Sequence, residues 1–447
     1  MIYCIIPPAY FLTDQKVIPT LGILRVATYL KHQGYSVKVL DLSGIDDWKK
    51  YLEDNVEDVE VFAITSTSPQ VSVVSQICSF LKDKWNKKII LGGPHATMTY
   101  ASYKHHSNFR SQKAYDQLLQ MADTIVIGDG ELSIIQAIHS NEKIIDVESS
   151  KDLFLTNDVY NSLPMIDRDL IDIHSYSFSI DGKKATSLIS QMGCPYECNF
   201  CGGRLTKTYH KVRNRSTDMI LKEVDVLYRK YGYEAFMFYD DELNINNRLF
   251  VDLLEKLIKY QEDNHISFNL RGFTRSDLLT DEQAKLMYRA GFRWLLIGFE
   301  SGSSRMLFNM NKKTTVEDNT RSMDIARKNG LKVKALMSIG HPGESIYTIR
   351  ETKDWMQKIK PDDFDCTIIS VYPGTPYYDE AYYENNLWVY VNKKNGDKLY
   401  SDDIDYLKDV NCYKTGKDGY KSFVYTDFLT KEQLVHERKQ FEMEMRS

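Results

Sequence analysis

The stretch that decides the fold runs from residue 187 to residue 201 and reads SLISQMGCPYECNFC. A strand pattern at 187–192 leads straight into Cys194, Cys198 and Cys201, which are spaced C-x3-C-x2-C. Thiolates are soft ligands that suit zinc or iron–sulfur clusters. Three cysteines on one loop hold three corners of a cubic cluster and leave its fourth iron open, whereas clusters that only carry electrons take four cysteines. A zinc site completed by His210 is the alternative, although zinc sites usually add a second ligand pair well downstream.

On either side of this loop, strand and helix patterns alternate. Six βα repeats predict an incomplete barrel over residues 186–378, with its chemistry at the carboxyl ends of the strands. The predicted strands are 187–192, 235–239, 268–270, 294–299, 333–339 and 365–371, and the predicted helices lie near 217–230, 247–262, 280–290, 315–329 and 345–359.

A second α/β unit is predicted upstream, over residues 1–140. Strands at 2–6, 37–40, 61–65, 89–91 and 124–127 alternate with helices at 21–32, 69–84 and from about 130. This alternation indicates an open, doubly wound parallel sheet, whose ligands bind beyond the carboxyl ends of the strands. Residues 141–185 are predicted to be a linker, and residues 379–447 to cap the barrel, with a last helix at 431–446.

Composition narrows the class of protein. The 447 residues carry 57 Lys and Arg against 62 Asp and Glu, so no general basic field favours nucleic acid. The apolar runs are too short to span a membrane, and residues 1–30 lack a signal-peptide pattern. An odd number of cysteines, three of them clustered, favours a cytoplasmic metal protein over a disulfide framework. Cys366 and Cys412 carry no spacing signal and are expected to be buried.

Five motifs in order resemble the radical S-adenosylmethionine (SAM) superfamily. The first is the cysteine loop, with Phe200 just before its third cysteine. The others are FYDDE at 238–242, IGFESG at 297–302, SIGHPGE at 338–344 and YPGTP at 372–376.

The resemblance implies a [4Fe–4S] cluster on Cys194, Cys198 and Cys201, whose open iron binds SAM and yields a 5′-deoxyadenosyl radical. It leaves any catalytic residue beyond these ligands unknown. It also implies an external electron donor such as flavodoxin or ferredoxin. Arg271 or Arg275 is expected to pair with the methionyl carboxylate of SAM. The residues expected to bind SAM are Phe200, Tyr239, Asp240, Asp241, Glu242, Arg271, Glu300, Ser301, Ile339 and Gly340.

The first domain resembles the cobalamin-binding domains fused to radical SAM enzymes, through TLGIL at 20–24, GGPHAT at 92–97 and GDGE at 128–131. It lacks the D-x-H-x-x-G motif of cobalamin mutases, so the lower face of cobalamin is expected to meet the 66–70 loop without a histidine ligand. A domain that kept the fold and lost the cofactor is the alternative. The expected cobalamin contacts are Thr65, Ser66, Ser68, Gln70, Gly92, Gly93, Pro94, His95, Gly128, Gly130 and Glu131, with His95 as a hydrogen-bonding loop residue rather than a cobalt ligand.

The resulting hypothesis is a cobalamin-dependent radical SAM methyltransferase that methylates an unactivated carbon, or another poor nucleophile, of a small metabolite or natural-product intermediate. A rearrangement or cyclisation with the same cofactors stays open, as does a peptide substrate; neither nucleic acid nor a membrane is expected as a partner. A methylthiotransferase is disfavoured because it needs a second trio of cysteines for a second cluster, and only Cys4 and Cys78 lie upstream of the loop.

A zinc-stabilised binding module is the non-enzymatic alternative. Trp388 and the tyrosines near it are expected to be core more often than substrate contacts.

Overall fold

The computed structural model describes residues 1–106, 108–408 and 420–446. Its first sheet has six strands, all parallel, in the order β2-β1-β3-β4-β5-β6. The strands are β1 (Ile2–Ile6), β2 (Val37–Asp41), β3 (Val61–Thr65), β4 (Lys88–Gly92), β5 (Thr124–Ile127) and β6 (Ile144–Asp146). The helices are α1 (Leu21–His32), α2 (Trp48–Asn55), α3 (Val71–Trp85), α4 (Pro94–His105), α5 (Phe109–Met121), α6 (Gly130–His139) and α7 (Asn157–Ser162).

Both faces of this sheet are buried, as the alternation of β1 shows. Ile2, Cys4 and Ile6 pack in one hydrophobic cluster with residues of α1 and α6. Tyr3 and Ile5 belong to a second, larger cluster that continues into the barrel. The doubly wound fold predicted from the sequence is confirmed, and its order changes direction between β1 and β3, where ligands of such sheets bind.

The second sheet has seven strands in the order β15-β14-β13-β12-β11-β8-β7. Adjacent strands in this sheet are parallel, except for the antiparallel β7–β8 hairpin. The predicted partial barrel is therefore also confirmed. The strands are β7 (Ser179–Ile180), β8 (Lys183–Leu188), β11 (Ala235–Phe238), β12 (Asn269–Thr274), β13 (Phe292–Glu300), β14 (Lys332–Ile339) and β15 (Asp363–Ile368), with a separate pair β9 (Gln191–Met192) and β10 (Arg213–Asn214). The helices are α8 (Lys207–His210), α9 (Thr217–Tyr231), α10 (Asn247–Asn264), α11 (Asp281–Arg289), α12 (Ser304–Asn309), α13 (Val316–Lys328) and α14 (Ile346–Ile359).

Two expectations about the chain before the cysteines need correction. The strand predicted at 187–192 ends at Leu188, because the backbone N–H groups of Ser190 and Gln191 donate to Asp240 and turn the chain out of the sheet. The predicted linker also contributes β6 to the first sheet, since three residues are too few to show an alternating pattern.

The carboxyl-terminal region forms a small antiparallel sheet beside the barrel, in the order β16-β17-β18-β19. Its elements are α15 (Pro376–Asp379), β16 (Tyr382–Glu384), β17 (Leu387–Val391), β18 (Lys398–Ser401), β19 (Val424–Tyr425) and α16 (Lys431–Arg446). Cys366 and Trp388 are buried as expected, whereas Cys412 lies outside the described residues. Among the described residues, no helix has the length and apolar character that a membrane crossing requires.

Candidate functional site

The cysteine loop lies between β9 and α8, and the backbone of neighbouring segments holds it in place. The N–H of Cys194 donates to the carbonyl of Tyr209 (2.8 Å), and that of Asn199 donates to the carbonyl of Met310 (2.8 Å). Gly193 precedes the first cysteine at φ +89°, where a side chain would overlap the carbonyl of Lys211. The three thiols are free of disulfides, so the loop presents three soft ligands of the kind that a cluster takes.

Among the described residues, no group of three or more His, Cys, Asp and Glu side chains is arranged to hold a single metal ion.

Three consecutive carboxylates follow β11 beside this loop. Oδ1 of Asp240 accepts from the N–H (2.9 Å) and the hydroxyl (2.7 Å) of Ser190, and Oδ2 of Asp241 accepts from the N–H of Gly193 (2.7 Å). Burial raises the pKa of Asp240 and of Glu242 to about 7. The remaining oxygens, Oδ2 of Asp240 and Oε2 of Glu242, are buried without a hydrogen-bond partner. Such orphaned acceptors fit a ligand that brings a positive charge or N–H and O–H donors.

A buried lysine completes this polar cluster, and the sequence analysis missed it. Nζ of Lys312 lies 3.3 Å from Oε1 of Glu300, and both side chains are almost fully buried. Gly298 makes room for the pair, because a Cβ there would lie 2.7 Å from the Glu300 carboxylate and 3.2 Å from the Lys312 ammonium. Burial alone would lower the pKa of Lys312, but Glu300, Cys198 and Glu242 raise it, so the ammonium stays charged.

Glu300 also anchors a chain of hydrogen bonds that runs towards the carboxyl-terminal region. Its Oε2 accepts from the Ser338 hydroxyl (2.9 Å), which contacts Nε2 of His341 (2.8 Å). Nδ1 of His341 contacts the Tyr377 hydroxyl (3.2 Å), and the Phe200 ring meets the imidazole edge-to-face at 5.4 Å. Glu300 itself has φ +65°, a strained conformation for a residue with a side chain, which fixes its carboxylate at the strand end.

The structure does not bring every expected SAM contact to this cluster. Arg271 lies inside β12, and the carboxylates that act on it are those of Asp363, Asp365 and Asp181. Arg275 does lie beside the cysteine loop, with its guanidinium 3.6 Å from the centre of the Tyr196 ring.

Three further expected contacts lie at the ends of β13 and β14. Ser301 is buried and bonds to Thr352 of α14 (2.8 Å), so its hydroxyl is used for packing. Ile339 is the last residue of β14 and Gly340 follows it, where a Cβ would come within 3.3 Å of Ile368 and Val424.

A cavity of about 330 Å³ lies between the first sheet and the barrel mouth. Expected residues of both sites line it: Thr65, Gly92, Gly93, Pro94, Gly128, Gly130 and Glu131 from the first domain, and Tyr239 and Asp241 from the barrel. Lining residues that the sequence analysis did not assign are Gly22, Ile23, Val26, Ala63, Ile64, Ile90, Val126, Asp129, Ile134, Ile189, Gln191, Met192, Thr208, Tyr209 and Arg213. Gly22 and Ile23 belong to the TLGIL motif at 20–24, so that motif could have predicted them as cavity residues.

Glycines shape the first-domain wall of this cavity. Gly93 has φ +97°, and a Cβ there would come within 2.6 Å of Oγ1 of Thr65. Gly128 has φ +98°, and a Cβ there would lie 2.9 Å from Oγ1 of Thr208 across the domain boundary. A mostly apolar cradle with open backbone loops fits a large planar ligand or its nucleotide tail.

The other expected cobalamin contacts lie behind this wall. Ser66 is fully buried, Gln70 donates to the carbonyls of Pro7 and Pro8, and Ser68 contacts Nδ1 of His95 (3.1 Å). His95 is buried in the first turn of α4, and burial lowers its pKa to about 4. His95 is therefore a neutral hydrogen-bonding residue, and no histidine is among the described residues that line the cavity.

A buried ion pair joins the two domains at the cavity. Nη1 of Arg213 lies 2.5 Å from Oδ2 of Asp129, in the loop before α6, and Nη2 donates to the carbonyl of Thr208 (2.6 Å). The same Asp129 oxygen accepts from the N–H of Leu155 (3.2 Å). The pair therefore links the barrel to the first domain through a buried contact.

Comparison with known families agrees with these two sites. The radical SAM superfamily model matches residues 188–356, and the B12 binding domain model matches residues 9–109. The chain is a radical SAM enzyme with an amino-terminal B12-binding domain. These families define its cofactors as a [4Fe–4S] cluster, SAM and cobalamin, and the residues described above fit all three.

Similar proteins carry out more than one reaction. The chain is 24% identical to an uncharacterized methyltransferase of Pyrococcus horikoshii, over 84% of this chain and 80% of that protein. It is also 24% identical to the anaerobic magnesium-protoporphyrin IX monomethyl ester cyclase of Rubrivivax gelatinosus, over 81% of this chain and 66% of that one.

A solved structure shares the fold. The radical SAM methyltransferase TsrM from Kitasatospora setae, with cobalamin and a [4Fe–4S] cluster bound, superposes with a TM-score of 0.66 at 16% identity. The match covers 89% of this chain and 81% of TsrM.

Proposed function

We propose that the protein is a cobalamin-dependent radical SAM methyltransferase that methylates an unactivated carbon, or another poor nucleophile, of a small molecule. The observation that carries the proposal is the shared cavity, in which glycine loops of the first sheet face Tyr239 and Asp241 of the barrel. When bound, the cluster and SAM supply a 5′-deoxyadenosyl radical, and cobalamin supplies a transferable methyl group. A substrate in this cavity would contact both cofactors, as such a reaction requires.

The charged residues give SAM a defined orientation. Cys194, Cys198 and Cys201 would hold the cluster. The orphaned oxygens of Asp240 and Glu242 would accept from the methionyl ammonium, and Lys312 would pair with the methionyl carboxylate. Of the three basic residues considered, Lys312 is preferred because it lies near Cys198 and Glu242 and its pair with Glu300 is long (3.3 Å). Arg271 lies inside β12, and Arg275 is held more tightly, by Asp277 (2.7 Å) and the carbonyl of Lys312.

Glu300 and Phe200 would position the nucleoside end. The Ser338 bond orients the Glu300 carboxylate, and a carboxylate at this strand end suits the two ribose hydroxyls. Phe200 is held against His341, so its ring offers an apolar surface for adenine.

On the other side of the cavity, the chain would seat cobalamin by shape more than by charge. The backbone at Gly93 and Gly128 leaves space for the ligand, and the Arg213–Asp129 pair fixes the opposing wall. Since His95 is turned towards Ser68 and Thr99, its imidazole would not be a cobalt ligand when cobalamin is bound.

SAM carrying a deuterated methyl group tests the proposal without a known substrate. We expect the reconstituted enzyme, given reduced cobalamin, to place the label on cobalamin and to release S-adenosylhomocysteine, both measured by mass spectrometry. The cyclase relatives make cyclisation or rearrangement the second candidate. Formation of 5′-deoxyadenosine with no label on cobalamin would contradict methyl transfer and favour that second candidate.

A further inference from the structure

Four basic side chains lie on or next to the cysteine loop. We propose that this basic rim, made of Arg204, Lys313, Lys393 and Lys394, is the docking site of an acidic electron-transfer protein that reduces the cluster. The inference rests on the proposed function, because it needs a cluster that accepts one electron. The electron passes from the carrier, which is oxidised, to the cluster, which is reduced, and no bond is made or broken.

Two members of the rim touch the cysteine loop directly. Nη1 of Arg204 donates to the carbonyl of Glu197 (3.4 Å) and to the Asn199 side chain (3.3 Å). Lys313 lies 3.5 Å from the Glu197 carboxylate, and its side chain is 58% exposed. A partner that binds these side chains therefore lies against the loop that holds the cluster ligands.

The other two members belong to the turn between β17 and β18, and buried hydrogen bonds fix that turn to the same loop. Asn309 is fully buried; its side-chain oxygen accepts from Asn392 (3.0 Å) and Asn395 (2.7 Å), and its carbonyl accepts from Asn199 (3.0 Å). The turn thus holds Lys393 and Lys394 at a fixed place beside the cluster ligands. The Asn309 hydrogen bonds distinguish this turn from a loose surface loop whose lysines are only solvated.

Charge and exposure indicate an acidic partner. The side chain of Lys393 is 81% exposed although it pairs with Glu380 (2.8 Å), and Lys394 lies over Phe308, a half-exposed aromatic ring. Glu197 and Glu380 pair with rim lysines, and Asp397 of the same turn pairs with Arg305 (2.6 Å), so positive charge is in excess there, while the whole chain carries −5. An apolar ring bordered by cations suits a partner whose redox centre is surrounded by carboxylates.

The test is stopped-flow reduction of the reconstituted cluster by two acidic carriers, a flavodoxin hydroquinone and a reduced ferredoxin. In K393E/K394E, we expect the second-order rate constant at low ionic strength to fall at least about tenfold for one or both carriers. The difference should shrink at about 1 M salt, where the screening length is about 3 Å. If one carrier alone is slowed, that carrier is the partner class.

The matched control is K259E/K285E, which reverses two exposed lysines far from the rim in sequence, each paired with an aspartate, on α10 and α11. Equal rate constants in K393E/K394E, the control and the wild type would overturn the docking site. The extent of dithionite reduction, followed by the electron paramagnetic resonance of the cluster, must match in all three. If the wild type shows no such signal, the proposed function fails instead.

Discussion

Lys312 is the side chain on which the proposed orientation of SAM depends most. Its ammonium is buried beside Glu300 and near Cys198 and Glu242, so it neutralises a crowded set of negative groups. No motif indicates it, because it lies in the irregular segment after α12, and burial of a lysine cannot be read from spacing. Arg271 was expected instead because the predicted strand ended at 270, whereas β12 continues to Thr274 and keeps Arg271 inside it.

Replacing Lys312 with Met should weaken SAM binding about tenfold or more, since a charged hydrogen bond is worth about 1.5–3 kcal/mol. Anaerobic equilibrium dialysis measures the dissociation constant, and iron content confirms that the cluster is retained. K313M is the control, because Lys313 is the exposed neighbour that pairs with Glu197. Unchanged SAM affinity in K312M would show that another group binds the carboxylate.

Replacing Gly93 with Ala should abolish cobalamin retention and leave iron binding intact. The added Cβ would lie 2.6 Å from the Thr65 hydroxyl and 2.8 Å from the Ser66 backbone nitrogen, so the loop would have to move. G182A shares the positive φ, +81°, but meets no atom within 4 Å and controls for backbone strain. Cobalt content after desalting measures the effect. Equal cobalt in both variants would contradict the proposal that cobalamin binds against the Gly93 loop.

At the scale of elements, buried charges connect segments that the sequence leaves unassigned. Arg168 of the predicted linker and Arg215 both pair with Glu223 of α9, at 3.0 and 2.6 Å. Burial alone would raise the pKa of Glu223, but Arg215 and Arg168 lower it, so the carboxylate is charged in the fold. The segment before β8 is thus a packed part of the barrel wall.

E223Q should lower the free energy of unfolding by about 3 kcal/mol or more, because two buried guanidinium groups lose their counter-charge. Chemical denaturation of the apoprotein, followed by circular dichroism, measures the change. D263N breaks the exposed Lys259–Asp263 pair and should cost less than about 1 kcal/mol. Similar losses of unfolding free energy in the two variants would contradict a stabilising role for the Arg168–Glu223–Arg215 pairs.

The sequence was sufficient for the elements that carry a clear period. Most strands of both sheets, and helices such as α1, α3, α9 and α10, followed from alternating and helical patterns, whereas α2, α4, α5, β6 and β7 were not predicted. The separate pair β9–β10 was not predicted, because its course depends on Asp240, fifty residues away. Likewise, Ser68 and Gln70 are in the predicted loop, but hydrogen bonds to His95 and to the Pro7 and Pro8 carbonyls turn them from the cavity.

At the scale of the whole molecule, the first domain and the barrel share one interface that also forms the cavity. Asp379 of α15 is part of it: Oδ1 accepts from Ser102 of α4 (2.5 Å) and from the N–H of Gly374 (3.3 Å). Burial raises the pKa of Asp379 to about 7. This carboxyl therefore favours the folded state most below its unfolded pKa of about 3.9, and that contribution is lost as the pH rises towards and through 7.

D379N removes this titration while keeping an acceptor for both donors. We expect the melting temperature of the variant, relative to the wild type, to rise as the pH is raised from 5 to 8. Differential scanning fluorimetry of the apoprotein at matched ionic strength measures it. Parallel pH profiles for the two proteins would show that Asp379 is ionised in the fold over this whole range.

In the proposed function, this chain holds a [4Fe–4S] cluster and cobalamin on opposite sides of one cavity. The most direct test is anaerobic reconstitution with iron, sulfide and hydroxocobalamin, followed by metal analysis of the desalted protein. We predict about four irons and about one cobalt per chain. Iron without cobalt would contradict the assignment of the glycine-lined cavity to cobalamin, and zinc in place of iron would contradict the account as a whole.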